Sequence, residues 1–143
     1  MDIKTIFLCL ILTNVSMSFI LLAYWKNQKT YSGFAIWTIG ASVISSAYAS
    51  FALRGVIPDF ISIFVASGLS LFSAVARTDA LGKFTGESKQ KFLYILGALG
   101  TIFLFVFTYF HNDIIIRLIV FSVFVVIILS FQMKMILKHS KSN

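Results

Sequence analysis

Five long apolar segments dominate this sequence, and each is about as long as a helix that crosses a bilayer. They cover residues 5–24, 34–53, 60–76, 92–110 and 114–133. A helix needs about 20 apolar residues to span the hydrocarbon core of a membrane. Uncharged β-branched runs also occur in buried strands, but strands are only about 4–8 residues long. The sequence therefore predicts an all-α integral membrane protein with a bundle of five transmembrane helices.

The composition indicates that lipid rather than water surrounds this chain. Hydrophobic residues make up 59% of it and charged residues 12%, whereas a soluble domain carries about 25% charged residues. The net charge of +7 comes from cations that flank the apolar segments, which is typical of membrane helices and gives no reason to expect a nucleic-acid partner. The first segment spans a bilayer and has no small-residue cleavage site, so we interpret it as a retained helix. Cys9 is the only cysteine, which excludes a disulfide framework.

The distribution of cations predicts how the helices are oriented. Nine of the twelve Lys and Arg residues lie in the connections 25–33 and 77–91 and in the tail 134–143, and three lie on the other side. Cytoplasmic segments of membrane proteins carry the excess of Lys and Arg. We therefore expect the N-terminus outside, a cytoplasmic C-terminal tail, and a single transmembrane domain over 1–143 in the inner (plasma) membrane.

The stretch from Arg54 to Asp59 interrupts the apolar pattern between the second and third segments. Gly55 is able to adopt the positive φ that closes a helix C-terminus, and Pro58 suits the first turn of the next helix. Asp59 places a negative charge where the dipole of that helix favours it. This stretch therefore predicts a short hairpin on the outer side, and turn chemistry is a sufficient account of it.

Few strongly polar side chains lie within the predicted spans, and such residues are functional candidates because burying them in lipid is costly. Asn14, near the middle of the first span, either bonds a neighbouring helix or binds a ligand. Arg117 follows Asp113 by four residues near the outer interface, so the two form an ion pair on one helix face or help to bind something there. The predicted outer polar cluster consists of Arg54, Asp59, His111, Asp113 and Arg117.

Small residues recur at helical spacing in spans two to four, and we interpret them as helix-packing positions rather than as the lining of a pore. They are Gly40, Ala41, Ser45, Ala49, Ala66, Ser70, Ala74, Gly97 and Gly100. The predicted spans contain no carboxylate to couple protons and no interrupting proline. No catalytic triad or phosphate loop is visible, and His111 and His139 are predicted on opposite sides of the membrane. We expect no enzymatic activity, no metal site and no cofactor.

Several short motifs follow one another along the chain. They are Asp2 with Thr5, Asn14, Trp37 with Gly40, Arg54-Gly55 with Pro58-Asp59, Phe84 with Gly86, and Arg117. Their order, over nearly the whole chain, resembles the N-terminal multi-spanning membrane sensor module of bacterial diguanylate cyclases, the GGDEF proteins. One departure is Ser67-Gly68 in span three, where such modules often carry an asparagine. A GGDEF catalytic domain is missing from this sequence, so we expect that the chain does not make cyclic di-GMP.

The resemblance implies a sensory module that relays an outer-face or intramembrane cue to a cytoplasmic output domain through the last helix and its tail. The candidate ligand-sensing residues are Asn14, Trp37, Arg54, Asp59, Asp113 and Arg117. A homodimer is expected, because a small bundle needs a second copy to set the spacing of two output domains. Two other classes stay open: an accessory or assembly subunit of a larger membrane complex, and a small transporter.

Overall fold

Each of the five apolar segments forms one α-helix. This computed structural model describes residues 3–53, 56–86, 91–110 and 114–142. The helices are α1 (Ile3–Asn27), α2 (Phe34–Ala52), α3 (Asp59–Phe84), α4 (Lys91–Phe110) and α5 (Ile114–Ser142). All five are long and apolar enough to cross a bilayer. The prediction of an all-helical chain with five helices of membrane-spanning length is confirmed.

The helices bury small polar side chains and expose large apolar ones, which is the distribution expected of a bundle in lipid. Phe19, Ile119 and Val126 are mostly exposed, whereas Thr38 and Ser62 are almost completely buried. Lipid tails are as apolar as a leucine side chain, so burial of large apolar groups does not hold helices together in a membrane. Close packing and hydrogen bonds between helices do so instead.

α3 is the central helix of the bundle. It packs against α2, α4 and α5, and α4 and α5 also pack against each other. In the described part of the chain α1 contacts only α2. Short connections make consecutive helices antiparallel. We call the end with the N-terminus of α1 and the connection between α2 and α3 the N-end, and the end with the C-terminus of α5 the C-end.

Serine hydroxyl groups connect the first three helices through main-chain carbonyl groups. The Oγ atom of Ser18 in α1 lies 3.1 Å from the carbonyl oxygen of Ala41 in α2 and 3.1 Å from the Oγ atom of Ser45. Ser73 in α3 donates a hydrogen bond to the carbonyl oxygen of Gly40 in α2 at 2.7 Å. Such contacts require closely spaced backbones, which small residues allow.

An apolar core joins α3, α4 and α5. Its buried members are Leu71, Val75, Leu93, Leu104 and Ile128. α4 approaches α3 closely at Gly97, where an added Cβ atom would lie 2.8 Å from the Cγ2 atom of Val75. A larger residue at this position would force the two helices apart, so Gly97 is a position of close approach between α3 and α4.

α3 is longer than the sequence predicted. We expected the third span to end at residue 76 and a cytoplasmic connection to begin at Arg77, but the helix continues to Phe84. Residues 78–80 are buried, so packing against the neighbouring helices stabilises this extension. The helix that contains the predicted third span therefore also carries a carboxylate, Asp79, beyond the predicted end of that span.

α5 also runs beyond the predicted limit of its span. The sequence predicted a span that ends at residue 133 and a tail that continues as helix. The structure shows one uninterrupted helix to Ser142. The predicted continuation is confirmed up to that residue.

The connection between α2 and α3 is described in part. The carbonyl oxygen of Leu53 accepts hydrogen bonds from the backbone N–H groups of Val56 and Ile57, which closes the end of α2. Pro58 is the N-cap residue of α3, one position before the first helical turn where we had expected it. The predicted role of Gly55 lies outside the described residues.

Candidate functional site

A groove runs along α3 between α2 and α5, and we call it the α2–α5 groove. Its volume is about 460 Å³, and sites for small molecules usually measure about 300–1,000 Å³. No Cα atoms of α2 and α5 lie within 8 Å of each other in the described part of the chain, and the groove runs along the gap between the two backbones. Its apolar lining consists of Ile44, Tyr48, Phe51, Ile63, Phe64, Ala74, Leu104, Leu118, Phe121 and Val125.

Polar side chains of the groove lie on its floor and near its two ends. Ser70 and Ser73 are on the floor, and both donate their hydroxyl hydrogens to main-chain carbonyl groups. Arg117 lies toward the N-end and is only 8% exposed, while Arg77 lies toward the C-end. Arg77 is separated from Phe64 by about 20 Å along α3, at a rise of 1.5 Å per residue. The groove is thus long, with mostly apolar walls, hydroxyl groups on its floor and an arginine near each end.

Two residues of α2 hold Arg77. The guanidinium carbon lies 5.9 Å from the centre of the Trp37 ring, which is within the range of a cation–π interaction. A Cβ atom at Gly40 would lie 3.2 Å from the Cγ atom of Arg77, so the glycine leaves room for the aliphatic part of the arginine. Residues three apart share one face of a helix. The spacing of Trp37 and Gly40 therefore has a physical basis, because together they form the contact surface for Arg77.

The Nε atom of Arg77 is buried and has no hydrogen-bond partner among the described residues. Leaving a buried donor without an acceptor costs about 1–3 kcal/mol. The same side chain lines the groove. An acceptor group that entered the groove at the C-end would therefore meet a guanidinium group whose hydrogen-bonding capacity is not fully used.

Asp79 lies on the opposite side of α3 from Arg77, facing α4. The Tyr94 hydroxyl group donates a hydrogen bond to the Oδ2 atom of Asp79 at 2.9 Å. The Nζ atom of Lys83, one helical turn along α3, lies 3.3 Å from the same oxygen. A buried carboxylate is tolerated when it is paired and hydrogen-bonded. These contacts therefore stabilise the last turns of α3 against α4.

Replacing Tyr94 with phenylalanine removes one of the two described partners of the Asp79 carboxylate. We expect Tyr94→Phe to lower the free energy of unfolding by about 1 kcal/mol, because a hydrogen bond to a largely buried charge is lost. The matched control is Tyr109→Phe on the same helix, where the hydroxyl group is on a mostly exposed side chain. Thermal unfolding in detergent, followed by circular dichroism, compares the two variants. Equal midpoints would show that the bond to Asp79 does not stabilise the fold.

The predicted site residues with described side chains occupy different positions. Arg117 lines the groove, and Trp37 contacts Arg77. Asn14 lies in α1, away from the groove, and its Nδ2 atom donates a hydrogen bond to the carbonyl oxygen of Leu10 in the same helix at 2.8 Å. The described hydrogen bond of Asn14 is thus within its own helix rather than to the neighbouring helix that we considered.

The predicted outer polar cluster falls largely on residues that the structure does not describe. Arg54, His111 and Asp113 lie outside the described residues, and so does the expected ion pair between Asp113 and Arg117. Asp59 is the first residue of α3, which places it at the N-end.

Arg77, Asp79 and Tyr94 were not among the site residues predicted from the sequence. Arg77 and Asp79 were assigned to a connection because they end the apolar run of the third segment. The small residues Ala76 and Ala80 lie four positions apart, and both are buried. This spacing is typical of packed membrane helices, and it was the available signal that the helix continues.

The comparisons with known proteins add no relatives. No protein-family model, curated protein or solved structure matched this chain. The resemblance to sensor modules of GGDEF proteins therefore rests on the ordered sequence motifs. One of those motifs, Trp37 with Gly40, has a packing role against Arg77 in the structure.

Proposed function

We propose that this chain is a membrane-embedded sensory module in which the α2–α5 groove binds a ligand and α5 relays the binding event. The observation that carries this proposal is the course of α5. Near its start this helix lines the groove with Arg117, Leu118, Phe121 and Val125, and it then continues without interruption to Ser142. A change at the groove therefore reaches the C-end through one rigid element.

The packing of α5 supports a movement of this helix on ligand binding. α5 packs against α3 and α4, and among the described residues none of its Cα atoms lies within 8 Å of a Cα atom of α2. A molecule between α2 and α5 would add contacts to both helices. A ligand shifts a conformational equilibrium only when it binds one state more tightly than the other. In this proposal the two conformational states differ in the position of α5 relative to α2.

The direction of the relay follows from the charge distribution. We propose that the C-end faces the cytoplasm, because the segments at that end carry nine of the twelve cations. The N-end then faces outward, and the membrane is the inner membrane of a bacterial cell. The output would be a cytoplasmic domain of the diguanylate cyclase type, with a homodimer setting the spacing of two such domains.

A pair of variants on α5 tests the sensory role. Leu118 lines the groove, and its neighbour Ile119 has a similar exposure but does not line it; the exposed fractions are 63% and 56%. We expect Leu118→Trp to change the output of a reporter enzyme fused after residue 143 by about 5-fold, the shift that about 1 kcal/mol of added packing produces. Ile119→Trp adds the same bulk outside the groove and should leave the output unchanged.

Two results would contradict the sensory role. One is equal output from wild type, Leu118→Trp and Ile119→Trp when all three are present in the membrane at the same level. The other is co-purification with a single fixed membrane partner, together with an unchanged output. That second result would favour the accessory or assembly subunit.

A further inference from the structure

We infer that the occupant of the α2–α5 groove is an anionic phospholipid, with one acyl chain along the groove and the phosphate group at Arg77. This inference rests on the proposed function in one respect, namely that the groove is the site at which a ligand binds. It names the chemical class of the ligand, which neither the sensory role nor the sequence motifs specify.

The shape and lining of the groove indicate an acyl chain. The groove runs for about 20 Å along α3, from Arg77 to the level of Phe64, at 1.5 Å per residue. The walls of its middle part are formed by apolar residues such as Ile44, Phe121 and Val125. The hydroxyl groups of Ser70 and Ser73 on its floor are already bonded to main-chain carbonyl groups. α3 is a helix of membrane-spanning length, so this apolar part lies at the depth of lipid tails. The gap between α2 and α5 gives a tail a sideways path into the groove.

The charge at the C-end indicates an anionic head group. Arg77 lines the groove there, and its buried Nε atom has no acceptor among the described residues. The guanidinium group binds phosphate oxygens through two parallel N–H donors, of which Nε–H is one. Asp79 is not available to neutralise Arg77, because it faces α4 and bonds Tyr94 and Lys83. A phosphate group at this position would supply an acceptor to Arg77, and a small rotation of the side chain would bring the buried Nε–H within its reach.

The arginine is also on the side of the membrane where anionic lipids are expected. In the proposed orientation the C-end meets the cytoplasmic leaflet, which carries a negative surface potential. Exposed lysines of the same end, such as Lys29 and Lys91, attract anionic lipids to the surroundings of the bundle. Among the described residues, only Arg77 combines this location with a position in the groove.

The test measures which lipid contacts the groove. The chain contains two tryptophans, so a Trp25→Phe background leaves Trp37, which lies beside Arg77, as the only fluorescent indole. The protein is reconstituted in phosphatidylcholine vesicles that contain either brominated phosphatidylglycerol or brominated phosphatidylcholine, since bromine quenches tryptophan on contact. We expect the phosphatidylglycerol to bind near Trp37 about 5-fold more tightly than the phosphatidylcholine, a typical contribution of one cation.

Four variants separate groove binding from general attraction to a basic surface. Arg77→Gln should abolish the preference for phosphatidylglycerol, so that the two lipids bind near Trp37 equally well. Arg77→Lys should retain part of this preference, because the positive charge remains although the Nε–H donor is lost. Ser70→Leu fills the floor of the groove, keeps Arg77 and should also remove the preference. Lys29→Gln removes a cation at the same end outside the groove and should leave the preference intact.

The inference is overturned if the wild-type protein shows no preference, or if Lys29→Gln lowers it as much as Arg77→Gln does. It is also overturned if a brominated fatty acid shows the same dependence on Arg77 as phosphatidylglycerol, because the ligand would then be a free carboxylate. If phosphatidylglycerol is preferred but Leu118→Trp leaves the reporter output unchanged, the lipid site is supported and the sensory role is refuted. If Leu118→Trp changes the reporter output but phosphatidylglycerol is not preferred, the sensory role is supported and the lipid site is refuted.

Discussion

Replacing Gly33 with alanine is expected to destabilise the protein by about 3–4 kcal/mol, the largest effect that we expect from any single added methyl group. Gly33 precedes α2 with a φ of +98°, a conformation that costs an L-residue with a side chain about 1–2 kcal/mol. The new Cβ atom would also collide with the main-chain carbonyl oxygen of Ala80 and lie 3.1 Å from the Cβ atom of Lys83. A main-chain atom inside a packed helix cannot rotate away, so α2 and α3 must separate at the C-end.

Gly86 provides the matched control for this prediction. It also has a positive φ, of +77°, but an added Cβ atom would meet none of the described residues within 4 Å. Gly86→Ala should therefore cost only the backbone term, about 1 kcal/mol. Thermal unfolding of both variants in the same detergent separates the collision from the backbone cost. Similar midpoints would mean that α2 does not approach Ala80 as closely as the structure shows.

Replacing Gly100 with alanine is expected to lower the free energy of unfolding by about 2 kcal/mol. An added Cβ atom would lie 2.9 Å from the Cδ1 atom of Phe124 and 3.1 Å from the Cδ1 atom of Leu71. Both neighbours belong to the core of α3, α4 and α5 or pack against it, so neither side chain moves freely. Overpacking of such a core typically costs about 1–3 kcal/mol.

Gly68→Ala is the control for Gly100→Ala, since it makes the same change in a transmembrane helix. An added Cβ atom at Gly68 would lie 3.5 Å from the Cγ2 atom of Thr101, which is an ordinary van der Waals distance. Alanine also favours a helix over glycine by about 0.5–1 kcal/mol, so Gly68→Ala should leave stability unchanged or raise it slightly. Unfolding midpoints that are lowered equally in the two variants would contradict the packing of α4 against α3 and α5.

The five helices were predictable from the sequence because a bilayer permits few backbone conformations. Main-chain polar groups in lipid must be bonded internally, so an apolar run of sufficient length becomes a helix. The same physics made Gly97 and Gly100 recognisable, because close helix contacts in lipid need small residues. These features depend on local sequence and on the solvent.

The groove and the length of α3 depend on which helices pack against each other. Contacts between helices that are distant in the sequence could not be predicted from the pattern within each helix. Arg77 appeared to end a span because it is charged, yet Trp37 and Gly40 of another helix accommodate it. The spacing of Trp37 and Gly40 was visible, but the partner was forty residues away from the tryptophan. The α2–α5 groove exists because the backbones of two helices stay apart, and a pattern within one helix cannot predict such a gap.

The opposite placement of Arg77 and Asp79 constrains how the bundle is able to deform. Residues two apart on an α-helix point about 200° away from each other, and here one side chain contacts Trp37 in α2 while the other contacts Tyr94 in α4. Turning α3 about its own axis in either direction would break both attachments at once. We therefore expect that α3 does not rotate about its own axis during a conformational change. The change would be confined to sliding or tilting of the other helices against α3.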